Sequence, residues 1–272
     1  MTEVTRKQLE FSDEEAVAAW AEKCDAEWVV NCAAISGLEA CLDDPLTAHL
    51  VNARAPELIA GECHRRGIAF LHISTDYVLD GRRPGRHDET TSCKPVNVYG
   101  QSKLEGELRI QEVSPSAWIS RISWIFGPDL PSFPHQVLER AMQGQAQQAI
   151  GDKFSLPTFA DDFVTAWESL AVSKIDGGVY QMCNEGEPVS WADIADETLR
   201  LAADLGAPLK ESLIERTSLK DAHFFRDKRP PHTAMACKKL ADIRGALLRP
   251  WQVALGEHLG DLADDGWRLP SK

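Results

Sequence analysis

The chain has 272 residues, 43% hydrophobic and 26% charged, a balance that suits a globular protein able to bury a sizeable core. Its 42 acidic side chains outnumber 29 basic ones, for a net charge of −13. With no run of Lys or Arg, that charge excludes a surface that tracks nucleic-acid phosphates.

Strands and helices alternate along the chain, the pattern of a parallel sheet covered by helices on both faces. Ser12-Asp13-Glu14-Glu15 has the spacing of a capping box, with the Ser12 hydroxyl taking the Glu15 amide. It predicts a helix to about Lys23, with Ala16, Val17 and Trp20 facing inward. Residues 28–33 form a short apolar strand. Asp44 caps, and Pro45 opens, a helical region that ends at Gly67; Pro56 is expected to kink or split it. Residues 68–74 are a continuous apolar run followed by Thr75 and Asp76, which reads as a buried parallel strand. A polar loop rich in Gly and Pro spans 80–95, and Asn97 caps a helix to about Gln111. The spacing then predicts a strand over 117–126, helices over 133–143 and 161–173, a strand over 178–183 and a helix over 191–205. An irregular stretch around 227–233 precedes two short helices. A change of lobe is placed near residues 150–158.

The seven cysteines, at 24, 32, 41, 63, 93, 183 and 237, are scattered and never form a C-x-x-C pair. That usage fits reduced thiols in a cytosol rather than a disulfide frame or a zinc site. No apolar run of about eighteen residues offers a membrane span, and no secretory pattern is legible, so a cytoplasmic protein is expected.

Tyr99 and Lys103 stand four apart on a predicted helix, which places them on one face a turn apart. An ammonium beside a phenol lowers the phenol's pKa and lets it give a proton to a carbonyl near neutral pH. A surface tyrosine beside a solvated lysine would have the same spacing. Thr75 and Asp76 lie at the carboxyl end of a predicted parallel strand, the edge where open α/β sheets bind ligands. The Thr75 hydroxyl there could reach the same substrate oxygen as Tyr99, or it could simply terminate the strand.

His-Ile-Ser-Thr-Asp-Tyr-Val-Leu-Asp-Gly (72–81) and Pro-Val-Asn-Val-Tyr-Gly-Gln-Ser-Lys-Leu-Glu-Gly-Glu (95–107) resemble the dTDP-4-dehydrorhamnose reductases, extended short-chain dehydrogenase/reductases. Val-Val-Asn-Cys-Ala-Ala (29–34), Arg-Ile-Ser-Trp-Ile-Phe (121–126) and Asp-Lys-Phe-Ser-Leu-Pro-Thr (152–158) are similar too, as is a late Arg229-Pro230 segment with Thr233 and Met235. The resemblance implies NADPH or NADH as cofactor, a nucleotide-sugar substrate and reduction of its C4 keto group. It implies Tyr99 as proton donor, Lys103 on the nicotinamide ribose, tuning Tyr99, and Thr75 polarising the carbonyl. Ala33, Ala34, Ile35 and Ser36 would border the cofactor, with Arg6 near an adenosine phosphate. Thr75, Asp76 and Trp124 would touch the sugar nucleotide. It also implies a Rossmann-like domain over residues 1–150. Residues 151–272 would be mainly a small substrate-binding lobe, with about 161–205 returning to the first domain. Neither nucleic acid nor membrane is an expected partner, and a homodimer is the assembly considered.

The family's Gly-x-x-Gly-x-x-Gly turn, which holds the pyrophosphate, is missing from this sequence. Residues 2–11 look like the end of the family's second strand and the segment just after it. A truncated, N-terminally incomplete domain is therefore expected, with an exposed edge at the strand near Val29. Leu42 stands where relatives have an acidic residue, and Ser132-Phe133 replaces their Asn-Phe. Two other readings of the same motifs are a non-catalytic binding subunit resembling the regulatory subunit of methionine adenosyltransferase, and an epimerase or dehydratase of the superfamily. Tyr77, rather than a second carboxylate, after Asp76 favours plain reduction over the latter.

Overall fold

A computed structural model describes residues 2–129, 131–172, 175–210 and 213–270. The first half runs α1 (Glu14–Lys23), β1 (Trp28–Asn31), α2 (Leu38–Asp43), α3 (Pro45–His49), α4 (Ala55–Arg66), β2 (Ala69–Thr75), α5 (Val98–Val113), β3 (Trp118–Ile122) and β4 (Ile125–Phe126). The second half runs α6 (Phe133–Gln143), β5 (Gln147–Ile150), β6 (Phe154–Ser155), β7 (Thr158–Phe159), α7 (Ala160–Val172), β8 (Gly178–Gln181), β9 (Val189–Ser190), α8 (Trp191–Asp204), β10 (Ile214–Thr217), α9 (Lys238–Arg244) and α10 (Trp251–Asp264).

The main sheet has the order β1-β2-β3-β8, parallel throughout. Successive side chains of a strand point to opposite faces, and here both faces are buried. Phe70 and Ile119 join Val17, Ile59 and Ile110 beneath α1, α4 and α5. Leu71 joins Trp167, Leu170 and Leu240 of α7 and α9 on the other face. Trp28 and Trp118 stack there at 5.0 Å, with Trp167 edge-on to both. This is the Rossmann-like α/β architecture expected from the alternation, and β1 pairs with β2 alone among the described residues.

A smaller assembly lies beside it. β5 pairs in parallel with β10, and α6 and α8 pack on one another. Val137, Ala149, Ala192 and Ala195 form its core. Ser190 and Asp193 close a capping box that starts α8. β5 thus ends at residue 150 in the chain and pairs with a strand well after it.

The structure departs from the sequence reading in several places. Asp13, not Ser12, caps α1 by accepting the Ala16 amide, while Ser12 turns back to Glu10. Both residues are cap-competent, and the helix begins one residue later. Residues 2–11 carry turns and no strand. α2 was not anticipated. The region opened by Pro45 is split near Pro56, as expected, though not by a kink: Pro56 sits in the first turn of α4, directly after a π turn (Leu50–Arg54) in which the Ala55 amide reaches Leu50. The wider turn ends one helical run and lets the next begin where proline needs no amide. The strand predicted over 117–126 is broken at Ser123 and Trp124, whose φ of 43° is left-handed, and β4 pairs with β7 instead of the main sheet. α10 is fourteen residues long rather than short. The predicted end of α7 at residue 173 lies outside the described residues.

Candidate active site

Two glycines seat α5. A Cβ on Gly100 would lie 2.2 Å from the Tyr77 carbonyl oxygen, and one on Gly106 would lie 2.3 Å from that of Asn52. Only glycine allows backbones so close. The Asn97 side chain caps the helix at the Gly100 amide. These contacts press the first turns of α5 onto the carboxyl end of β2, where Thr75 ends the strand and accepts the Tyr77 amide at 3.2 Å.

Tyr99 and Thr75 meet there. The Tyr99 phenol shares a hydrogen bond with the Thr75 hydroxyl, and the Tyr77 ring meets the Tyr99 ring edge-on at 5.8 Å. Burial pushes the Tyr99 phenol well above its usual range, Asp76 adds to the shift, and the bond to Thr75 opposes it. The expectation that Lys103 lowers the Tyr99 pKa is therefore corrected. The cause is where the amine goes: Lys103 Nζ donates to the Ile73 carbonyl at 2.6 Å and lies 3.0 Å from His72 Nε2. Lys103 is buried, and burial pushes it down to about 8 against the pull of Glu107 and Cys32.

Loop 33–36 follows β1 at the same edge of the sheet. The Ala33 amide donates to Asn31 Oδ1, and Asn52 of the π turn clasps Ile35 through both its amide and its carbonyl. Asn52 also donates to Ser102 on α5. Ala34 and Ser36 are exposed. Hydroxyl donors at Thr75 and Tyr99, an amine at Lys103 and a tethered backbone loop suit the nicotinamide-ribose end of a dinucleotide. Arg6 joins none of these contacts; it is exposed and pairs with Glu10 at 3.4 Å.

Asp76 is fully buried. It accepts from Thr75 at 3.2 Å, from Ser155 at 3.1 Å and from Thr233 at 2.5 Å. Burial raises its pKa, while Lys153 and these hydroxyls pull it down. Lys153 is also buried, bonds the Pro230 carbonyl at 3.0 Å and lies over the rings of Tyr77 and Trp124. Segments 152–158 and 230–233 thus converge on Asp76. Trp124 faces Trp191 at 5.6 Å, and its Nε1 is buried without a partner among the described residues. With Phe133, Pro157 and Phe225 it lines a largely apolar cavity of about 980 Å³.

Thr75, Tyr99 and Asp76 are brought into one cluster, Lys103 lies beneath it facing the strand, and Trp124 stands across Lys153 from Asp76. Asn31, His72, Lys153, Ser155 and Thr233 lay in the segments that carry the resemblance without being given a role, and Asn52 was not singled out. A polar side chain inside an otherwise apolar strand, as with His72, was the available signal.

Comparison with known proteins identifies the family. The model of the RmlD substrate binding domain matches residues 1–263. A dTDP-4-dehydrorhamnose reductase of Burkholderia thailandensis is 30% identical over 269 residues, covering 95% of this chain and 90% of that protein. A probable dTDP-4,6-dihydroxy-2-methyloxan-3-one 4-ketoreductase of Streptomyces antibioticus is 33% identical over 242 residues, covering 86% of this chain and 77% of that one. The crystal structure of a Bacillus anthracis dTDP-4-dehydrorhamnose reductase in complex with NADP superposes with a TM-score of 0.86 at 23% identity, covering 95% of this chain and 89% of its own.

Proposed function

The chain belongs to the RmlD substrate binding domain family, and from that premise we propose that it reduces the C4 keto group of a 4-keto-6-deoxy sugar nucleotide, as in the conversion of dTDP-4-dehydrorhamnose to dTDP-rhamnose. The observation that carries this reading is the Tyr99–Thr75 hydrogen bond at the carboxyl end of β2. NADPH or NADH, when bound, supplies the hydride, since no side chain can. Ala33, Ala34, Ile35 and Ser36 would border it, and Lys103 would meet its ribose.

Thr75 and Tyr99 bind the C4 oxygen as hydrogen-bond donors and polarise the carbonyl. As hydride reaches C4, Tyr99 gives its proton to O4. A phenol whose pKa is raised by burial stays protonated at neutral pH, so Tyr99 waits in its donor form. The Thr75 hydroxyl then hydrogen-bonds the phenolate left behind. Asp76 and Trp124 orient the sugar, and the apolar cavity beside Trp124 takes the nucleotide end of the substrate. In this division of labour residues 1–150 serve mainly the cofactor and 151–272 mainly the substrate, with about 161–205 partly returning to the first domain. A homodimer and a cytoplasmic place belong to the same reading; no described helix is long and apolar enough to cross a membrane.

The test is loss of reduced-nicotinamide absorbance on adding dTDP-4-keto-rhamnose. Tyr99→Phe is expected to lower kcat by about 10²–10⁴-fold with the fold intact. Full activity in that variant overturns the assignment of the proton donor.

A further inference from the structure

Two cysteines outside the site face each other in the interior. Cys183 follows β8 and Cys237 opens α9; they are 3% and 2% exposed, and their sulfurs lie 3.2 Å apart. Among the described residues no other two cysteine sulfurs come into contact. Backbone bonds hold both partners in place. Around Cys183, the Met182 amide donates to Arg121 and the Asn184 amide to Pro157. Around Cys237, the Ala236 amide donates to His87, and the Cys237 carbonyl accepts the Ala241 amide. Cys237 is also left-handed, with a φ of 46°, which a residue with a β-carbon keeps only where its surroundings fix it. The contact therefore belongs to the packed fold and not to a loose loop. The other hydrogen bond of each thiol is long: Cys183 reaches the Met235 carbonyl, and Cys237 the Cys183 carbonyl, both at 3.9 Å. Thiols are weak donors, so little is lost when these two protons leave. A disulfide needs its sulfurs about 2.0 Å apart, roughly 1 Å closer than here.

We propose that Cys183 and Cys237 form a modification site, a redox-active pair that peroxide closes to a disulfide in the folded protein, and that closure staples the Thr233 segment to the main sheet. The site stands apart from the reaction assigned above. Hydrogen peroxide is the oxidant. The Cys183 thiolate attacks one peroxide oxygen, the O–O bond breaks, and a sulfenic acid forms as the other oxygen leaves as water. Cys237 then attacks the sulfenic sulfur; the S–S bond forms, the S–O bond breaks and a second water leaves. Two thiols give up two electrons and two protons, and one peroxide becomes two waters. Cys183 is the attacking sulfur because Arg86, paired with Glu185 at 2.9 Å, favours its thiolate. The hydrogen bond with Cys237 and burial act the other way and hold the Cys183 thiol well above its usual range, so the pair is reduced at rest and closes slowly. Cys237 lies four residues beyond Thr233, which holds Asp76, and Met235 between them bridges to His87. The new bond ties that segment covalently to the end of β8.

The test uses the unsubstituted chain, so no variant has to fold. The protein is treated with hydrogen peroxide at mildly alkaline pH, where more thiolate is present, until the exposed Cys32 is fully oxidised, with its fold followed by circular dichroism. It is then digested without reductant and mapped by mass spectrometry. The expected product is a pair of peptides joined through Cys183 and Cys237, two hydrogens lighter than its parts and released by dithiothreitol, formed while the circular dichroism stays native. Amide hydrogen exchange over residues 233–237 is expected to slow several-fold in the linked form and to recover on reduction. Three outcomes overturn the site: Cys183 and Cys237 recovered as separate thiols or sulfinic acids, a bond from either to another cysteine, or linkage that appears only once the native spectrum is lost. Unchanged exchange over 233–237 in the linked form overturns the staple.

Discussion

The sharpest stability test lies behind the site, at Glu107 and Arg121. Their side chains are 2% and 5% exposed, and the guanidinium grips the carboxylate at 2.6, 2.9 and 3.2 Å. Ser74 donates to the same carboxylate at 2.5 Å. Removing one member strands the other's charge in the interior, which costs about 3–5 kcal/mol. Against a total of roughly 5–15 kcal/mol that is a large share. Glu107→Leu and Arg121→Met should each alone lose about that much in urea unfolding monitored by circular dichroism. Glu107→Leu combined with Arg121→Met removes both charges and keeps the volume. It should sit within about 1–2 kcal/mol of the parent, because the desolvation cost of the pair disappears with it. The coupling between the two positions is then at least about 4 kcal/mol. Single losses below about 1 kcal/mol, or additivity within about 0.5 kcal/mol, would refute the description of a desolvated, mutually dependent pair.

Three further outcomes are expected. Gly100→Ala drives a methyl into the Tyr77 carbonyl at 2.2 Å, so it should cost about 1–3 kcal/mol and lower kcat by displacing Tyr99; a variant equal to the parent in both would contradict the packing of α5. Burial first, and His258 second, hold His135 down at about 4, below its usual 6.5. The unfolded chain takes up the proton first as pH falls, so stability should be full above about 6.5 and decline by on the order of 3 kcal/mol down to about 4. Unfolding measured across that window should show a shallower decline in His135→Gln. Trp124→Ala opens the wall of the cavity and should raise KM more than it lowers kcat; an unchanged KM would remove Trp124 from the substrate contacts.

Much of this was legible in the chain because local chemistry and global fold agree. Asn97 is a cap by type and spacing, and it caps α5. The apolar run ending at Thr75 has room only for a strand buried on both faces, and β2 is that strand. The misreadings come where two solutions compete locally. Ser12 and Asp13 can each cap α1, and tertiary packing chooses between them. Residues 117–126 have strand composition throughout, yet the left-handed Trp124 diverts the last two into a different pairing. Side-chain direction was the least accessible quantity. Helical spacing put Tyr99 and Lys103 on one face, but nothing in the spacing says that Lys103 turns inward to Ile73 and His72, since that depends on which polar groups another strand leaves unfilled.

The end of β2 joins both parts of the molecule through single side chains. Thr75 accepts the Tyr77 amide and offers its proton to Asp76, so its remaining lone pair faces Tyr99. Asp76 is held in turn by Ser155 and Thr233. The residues that grip Asp76 therefore set which way the Thr75 hydroxyl points before any carbonyl arrives. To polarise a substrate, Thr75 must exchange its bond to a buried carboxylate for one to the carbonyl oxygen. A hydrogen bond to a charged group is worth about 1.5–3 kcal/mol, too much to abandon unless the carboxylate keeps other donors. Ser155 and Thr233 are those donors, and the charge of the nearby Lys153 adds to their hold. Their convergence from distant parts of the sequence makes the switch of Thr75 energetically accessible and explains why the cluster is built from hydroxyls that can reorient.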